Sequence, residues 1–281
     1  MTNDFEPVEP ILCAPLLRKV DEKLIELLRA LEPAEWDLPT TAPQWRVREV
    51  AAHLLDTPLR KLSLVRDGWF VEKPDIRSPQ DLIDFVNRLN REGVAVYRRL
   101  SPSVLIDLME MACEQSAAFH ESLDPFARAA FNVSWAGEDE SLNWFDTARE
   151  LTERWHHQQQ IRFAANRPGI LTRELYHPVL DCFLRGLPHR FRNVAAPEST
   201  TLAIEITGDC GGLWHLVRTA DRWQLARSAQ RKSSSRIAIP QEIAWRVFTK
   251  GIDRDEACGL CHIEGDSTLA EQVLALTAIV G

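Results

Sequence analysis

The 281-residue chain has no uninterrupted apolar run of about eighteen residues, which excludes a helix able to cross a membrane. Its opening residues, Met1 to Pro7, are acidic and lack the basic-then-apolar layout of an export signal, so a cytoplasmic location is expected. Positive charge is in deficit. A net charge of −8 and a pI near 5.6 argue against a general nucleic-acid binder held by phosphate contacts. The single basic cluster, Arg227 to Arg236, is short and serine-rich and reads as a solvated loop. Cysteine is sparse and scattered, at positions 13, 113, 182, 210, 258 and 261. No disulfide framework is therefore expected, and reduced thiols are the default. Cys258-Gly259-Leu260-Cys261-His262 has the spacing of a c-type haem attachment and of a redox pair. Haem attachment needs export, however, and the chain runs on into Ile263-Glu264-Gly265-Asp266, which reads as strand and turn.

What is present is the material of an ordinary globular protein, 45% hydrophobic and long enough for two modest domains. Leu16, Leu17, Val20, Leu24, Leu27 and Leu28 fall at helical spacing within Pro10–Leu31. A second helix is expected from Arg46 to Trp69, bent near Pro58, where a backbone donor is missing. Ser78-Pro79-Gln80-Asp81 and Ser101-Pro102 are helix starts. The segment Phe131 to Gly137 is not helical and reads as a short strand pair or a loop over the site. Asn143 or Asp146 opens another helix, extending to Ala165, and Thr172–Leu187 reads as one more. Beyond Pro197 the period changes from helical to alternating: Thr201–Thr207, Leu213–Val217 and Trp223–Ala226 form a meander, and Ile237–Ile239 adds a strand. A helix from Pro240 to Thr249, a strand from Gly259 to Glu264 and a helix from Thr268 to Val280 complete an α+β unit. The expected division is a helical bundle at 1–190 and an α+β domain at 198–281.

The most informative segment is Glu153-Arg154-Trp155-His156-His157. Residues four apart on a helix lie about 5–6 Å apart at Cβ, so Glu153 and His157 share a face and can bind one ion. His53, on the amphipathic stretch Trp45 to Asp56, is the candidate third ligand. Two histidines and one glutamate form a zinc set that leaves a coordination position open. His156 lies about 100° round the helix from His157 and should point away. On chemistry alone, His53 reads as a partly buried helix histidine with a satisfied hydrogen bond. Glu150 reads as a surface acid or a support behind the ligands, and Asp56 as a partner that orients His53 or as a solvated acid. Trp45, Trp135 and Trp155 suit either a pocket wall or the core.

The succession Glu35-Trp36-Asp37-Leu38-Pro39-Thr40, Trp45, His53, then Glu153 to His157 with Gln160-Ile161, resembles the mycothiol-dependent maleylpyruvate isomerase family. That family belongs with the DinB-like metal-binding four-helix proteins. Trp245-Arg246-Val247 and Ile263 to Leu269 are similar to its C-terminal part, so the likeness covers most of the chain. It implies an α+β protein in which a DinB-like four-helix bundle precedes a small sterol-carrier-like domain. It also implies His53, Glu153 and His157 as the metal triad. Trp45 and Arg246 are candidate substrate contacts on their own chemistry, the arginine suited to a carboxylate. One departure stands out: the family often has Asp in a His-x-x-Asp-Ile pattern where this chain has Gln160.

The resemblance further implies zinc, or another divalent ion such as nickel, and a low-molecular-weight thiol as cofactor. The expected activity is a metal-dependent S-transfer to, or cis-trans isomerisation of, a small electrophile. Two alternatives stay open: a hydrolase using metal-activated water, and a non-catalytic small-ligand binding module.

Overall fold

The computed structural model describes residues 5–230 and 232–279; the features expected at Met1–Asp4, Arg231 and Val280 lie outside the described residues. Five long helices come first: α1 (Ala14–Arg29), α2 (Val47–Lys61), α3 (Pro79–Tyr97), α4 (Pro102–Ser122) and α5 (Asn143–Ala164). The bundle proper is α1, α2, α4 and α5, and α3 lies outside it against α2. Leu24 and Leu28 of α1, Val50, Leu54 and Leu55 of α2, and Leu105 and Met109 of α4 meet in one apolar core. Each such side chain removed from water stabilises the fold by about 1.5–3 kcal/mol. Ser78 caps α3, its hydroxyl accepting the Asp81 N–H while the Asp81 carboxylate accepts the Ser78 N–H, as the sequence predicts. Pro58 lies within α2, which continues through a wider π turn at Leu62–Arg66 and leaves the regular helix shorter than expected. A π turn is one way to absorb a disturbed hydrogen-bond ladder.

The segment after α5 holds α6 (Arg173–Leu184) and α7 (Leu187–Arg190), two helices where one was expected. The α+β part comprises β2 (Thr201–Thr207), β3 (Gly212–Arg218), β4 (Trp223–Ala229), β5 (Ser235–Pro240), α8 (Gln241–Phe248), α9 (Arg254–Leu260), β6 (His262–Glu264) and α10 (Ser267–Leu274). A strand near the N-terminus, β1 (Phe5–Pro7), joins the same sheet, whose order is β1-β4-β3-β2-β5-β6. All pairings are antiparallel except β2 with β5. Two expectations change here. Arg227 to Ala229 extend β4 rather than forming a solvated loop, and Gly259-Leu260 end a helix rather than opening a strand. Asp253 explains the second: its carboxylate caps α9 by accepting the N–H groups of Asp255 and Glu256.

Helices and sheet share a second apolar core. Trp155 of α5 stacks on Tyr176 of α6 at 4.3 Å, and both pack with Trp245 and Phe248 of α8 and with Ile204 and Ile237 of the sheet. Trp155 is therefore core, and its indole N–H donates to the Ile170 carbonyl. This packing locks α5 between bundle and sheet, so one helix carries residues that face both.

Candidate metal centre

The α2 helix starts at Arg46, whose backbone N–H donates to the Glu49 carboxylate at 2.9 Å. About two turns later His53 is buried against α5. There, His53, Glu153 and His157 come together, with candidate ligand atoms all within 4.8 Å of one another. Among the described residues, no other histidine, cysteine or carboxylate cluster has metal-binding geometry, so Cys258, Cys261 and His262 do not form such a group.

The protonation pattern suits a cation. His157 Nδ1 lies 2.9 Å from Gln160 Oε1, which can accept a hydrogen bond from it, and its Nε2 lies 3.5 Å from Glu153 Oε2. Burial, reinforced by His157, holds His53 well below the usual imidazole range, so the ring is neutral at physiological pH. Its Nδ1 is buried with no hydrogen-bond partner among the described residues, an arrangement uncommon for a buried polar atom and costly unless a ligand completes it. Burial works to raise Glu153, but His157, His156 and Arg149 outweigh it and hold the carboxylate ionised, below its usual range. Two imidazoles and one carboxylate on facing helices are a donor set that fits a divalent ion such as zinc.

Neighbouring residues sort clearly. His156 Nδ1–H donates to the Thr152 carbonyl at 2.8 Å, and the residue stays outside the ligand group, as its angular offset predicts. Asp56 does not orient His53; it pairs with Arg60 at 2.9 Å. Glu150 is buried in a network of its own with Lys61 and Arg154. Trp45 is held over the site by a turn in which its carbonyl accepts the Thr40 hydroxyl at 2.8 Å, and its ring lies 4.8 Å from His53 and 6.0 Å from His157.

Two cavities meet at His53 and Glu153, and His157 lines the first of them. One, of about 480 Å³, is polar: Trp45, Asn87, Arg91 and Gln160 line it, and Thr249 and Lys250 from the C-terminal part close it. The other, of about 270 Å³, is walled by Leu82, Phe85, Val86 and Leu89 of α3 and by Phe131 and Trp135. His53, Asn90 and Glu153 line both. The 131–137 segment thus stands beside the site, carrying a 3-10 turn at Ser134–Ala136 in place of a strand pair. Arg246 lines neither cavity. Its guanidinium lies over the Phe163 ring at 5.3 Å, and the C-terminal contribution comes instead from the residues just after α8. The part played by α3 was missed in the sequence; its one signal is the apolar stripe Leu82, Phe85, Val86 and Leu89 on a helix that stands outside the bundle.

Compared with known proteins, residues 17–162 match the family described as "Mycothiol maleylpyruvate isomerase N-terminal domain", a span of just over half the chain that contains His53, Glu153 and His157. Among solved structures, the chain is similar to a mutant of the mycothiol-dependent maleylpyruvate isomerase at 12% identity, covering 83% of this chain and 86% of that one with a TM-score of 0.49. The unmutated enzyme gives 13% identity over the same shares, with a TM-score of 0.47. A ubiquinone synthesis protein, UbiJ-SCP2, aligns with 28% of this chain and 68% of its own at 11% identity and a TM-score of 0.23. No curated protein matches the chain in sequence.

Proposed function

Since the chain belongs to the mycothiol maleylpyruvate isomerase N-terminal domain family, we propose that it is a metal-dependent enzyme that joins a small thiol to a small electrophile, either to isomerise it or to form a thioether. The observation that carries this reading is the convergence of His53, Glu153 and His157 within 4.8 Å, with two cavities opening onto them. These three residues are the proposed ligands of zinc or a similar divalent ion. When bound, such an ion supplies Lewis acidity that lowers the pKa of a thiol placed at the open position.

The chain's own residues do the rest. Gln160 keeps the His157 proton on Nδ1 and its lone pair on Nε2. Trp45 covers the histidine pair and sheds water from it. The division of labour follows the expected division of the chain. Residues 1–190 bring the ligands, and residues 198–281 close the polar chamber through Thr249, Lys250 and Ile279. For isomerisation, the sulfur forms a bond to one carbon of a carbonyl-conjugated double bond, and the electron pair moves into the carbonyl. Rotation follows about the resulting single bond. The pair then returns, the sulfur–carbon bond breaks and the thiol is regenerated. For transfer, that carbanion is protonated instead and the thioether is released.

The test is elemental mass spectrometry on untagged protein reconstituted with zinc, followed by assay with and without mycothiol or another small thiol. About one ion per chain is expected in wild type and in His156→Ala. It should be lost in His53→Ala, Glu153→Ala and His157→Ala. Activity that persists without any thiol would move the protein to the hydrolases, and absence of metal in the wild type would leave only a binding fold.

A further inference from the structure

The smaller cavity carries information about the electrophile. Its upper wall is the apolar stripe Leu82, Phe85, Val86 and Leu89, and its floor carries three cations, Arg60, Lys61 and Arg149. Each of these is already paired. Arg60 meets Asp56 at 2.9 Å, Lys61 meets Asp146 at 2.6 Å, and Arg149 meets Asp146 at 2.8 Å and Glu150 at 3.8 Å. Two of the three paired acids are held ionised, while burial pushes the third, Asp56, up. Burial pushes Asp146 and Glu150 up, but Lys61 and the neighbouring arginines outweigh it and hold both below the ordinary carboxylate range. An anionic ligand group in this chamber would therefore lie among apolar and uncharged polar side chains, facing cations already paired with buried acids. Such burial of an uncompensated charge is strongly unfavourable. The larger cavity is different: Arg91 brings positive charge to it, among amides and hydroxyls.

We propose that the electrophile handled at this centre is uncharged and apolar, with its hydrophobic end seated between Phe85, Leu89 and Trp135, while polar or anionic groups of the thiol lie in the larger chamber. The size is that of one ring with its reactive arm, since an apolar cavity of about 150 Å³ holds benzene and this one has about 270 Å³. A substrate bearing two carboxylates does not fit the smaller chamber. This inference rests on the function proposed above and narrows it to a substrate class.

The experiment is calorimetric binding of two unreactive probes, N-phenylsuccinimide and its 4-carboxyphenyl analogue, to zinc-reconstituted protein, with metal content measured on the same samples. Wild type should bind the neutral probe at least about tenfold more tightly. Leu89→Arg places an unpaired cation in the chamber and should bring the two affinities within about twofold; Val86→Lys is the second variant, should the first fail to fold. Equal binding of both probes by the wild type, or an unchanged ratio in the folded variants, overturns the inference even if zinc is present at about one per chain. Selective binding of the neutral probe by a protein that takes up no zinc supports the chamber assignment while removing the proposed function.

Discussion

Glu150 and Glu153 sit less than one turn apart on α5, yet they belong to two clusters of opposite character. Glu150 is in a network with its countercharges in place. Arg154 reaches Glu150 at 3.3 Å and also pairs with Asp21 and with the Ser116 hydroxyl at 2.7 Å. Lys61 and Arg149 bind Asp146, whose other near neighbours are the same pair of helices. Glu153 instead looks onto two imidazoles, one of which, His53, has a nitrogen with no hydrogen-bond partner among the described residues, and onto two cavities. Glutamate at the same i, i+4 spacing from a basic residue, Glu150–Arg154 and Glu153–His157, thus gives a structural clamp in one case and a candidate ligand set in the other. A cavity beside a buried imidazole nitrogen without a hydrogen-bond partner marks the second.

The sharpest break in that comparison is Arg154→Leu. It leaves Asp21 and Glu150 buried without their main partner, and loss of about 3–5 kcal/mol of stability is expected. Glu153→Ala should cost the metal-free protein less than half of that, because the carboxylate is partly exposed and its partner His157 is 3.5 Å away. Urea unfolding of both variants in chelator checks this; a clamp and a ligand that cost the same on removal would erase the distinction.

A smaller effect is expected at Gln160. Gln160→Ala removes the acceptor that fixes the His157 tautomer, and zinc affinity should fall by about 10–100-fold, read by competition with a chromophoric chelator. If the affinity stays at the wild-type value, Gln160 does not orient the ligand.

The mildest effect is on acid stability. Glu150 is held at about 2 in the fold, because Lys61 and Arg154 outweigh the upward push of burial, against an ordinary value of about 4.3. A depressed carboxyl contributes stability that is complete above its unfolded value and is lost as pH falls toward the folded one. The loss should therefore run from about pH 4.3 down to about pH 2. Glu150→Gln lacks that titration, so its stability curve should be flatter than wild type across the window. Parallel curves would show that Glu150 is not the group responsible.

Much of this was legible in the sequence. The Glu153/His157 pair needs only helical spacing, and Asn143–Ala164 is helical where the pattern places it. The strands β2, β3 and β4 follow from alternation broken by Gly211-Gly212 and Asp221-Arg222. Other features were not. The α5 sequence looks like a surface helix, with Arg149, Arg154, Gln158 and Arg162 interspersed, yet nearly all of it is buried. Local composition does not reveal that a helix is wrapped on every side and that its charges meet partners from α1 and α2.

The sequence by itself determined the helix and strand periods, the cap at Ser78, and the face shared by Glu153 and His157, because each depends on residues within a turn or two of one another. Only the tertiary structure decided that His53, a hundred residues earlier in the chain, completes the triad. It alone decided that Asp56 turns to Arg60, that α3 walls an apolar chamber, and that Lys250 rather than Arg246 reaches the larger one. Those outcomes depend on how α2, α3, α5 and the sheet pack, and packing brings together side chains whose separation in the sequence carries no period to read.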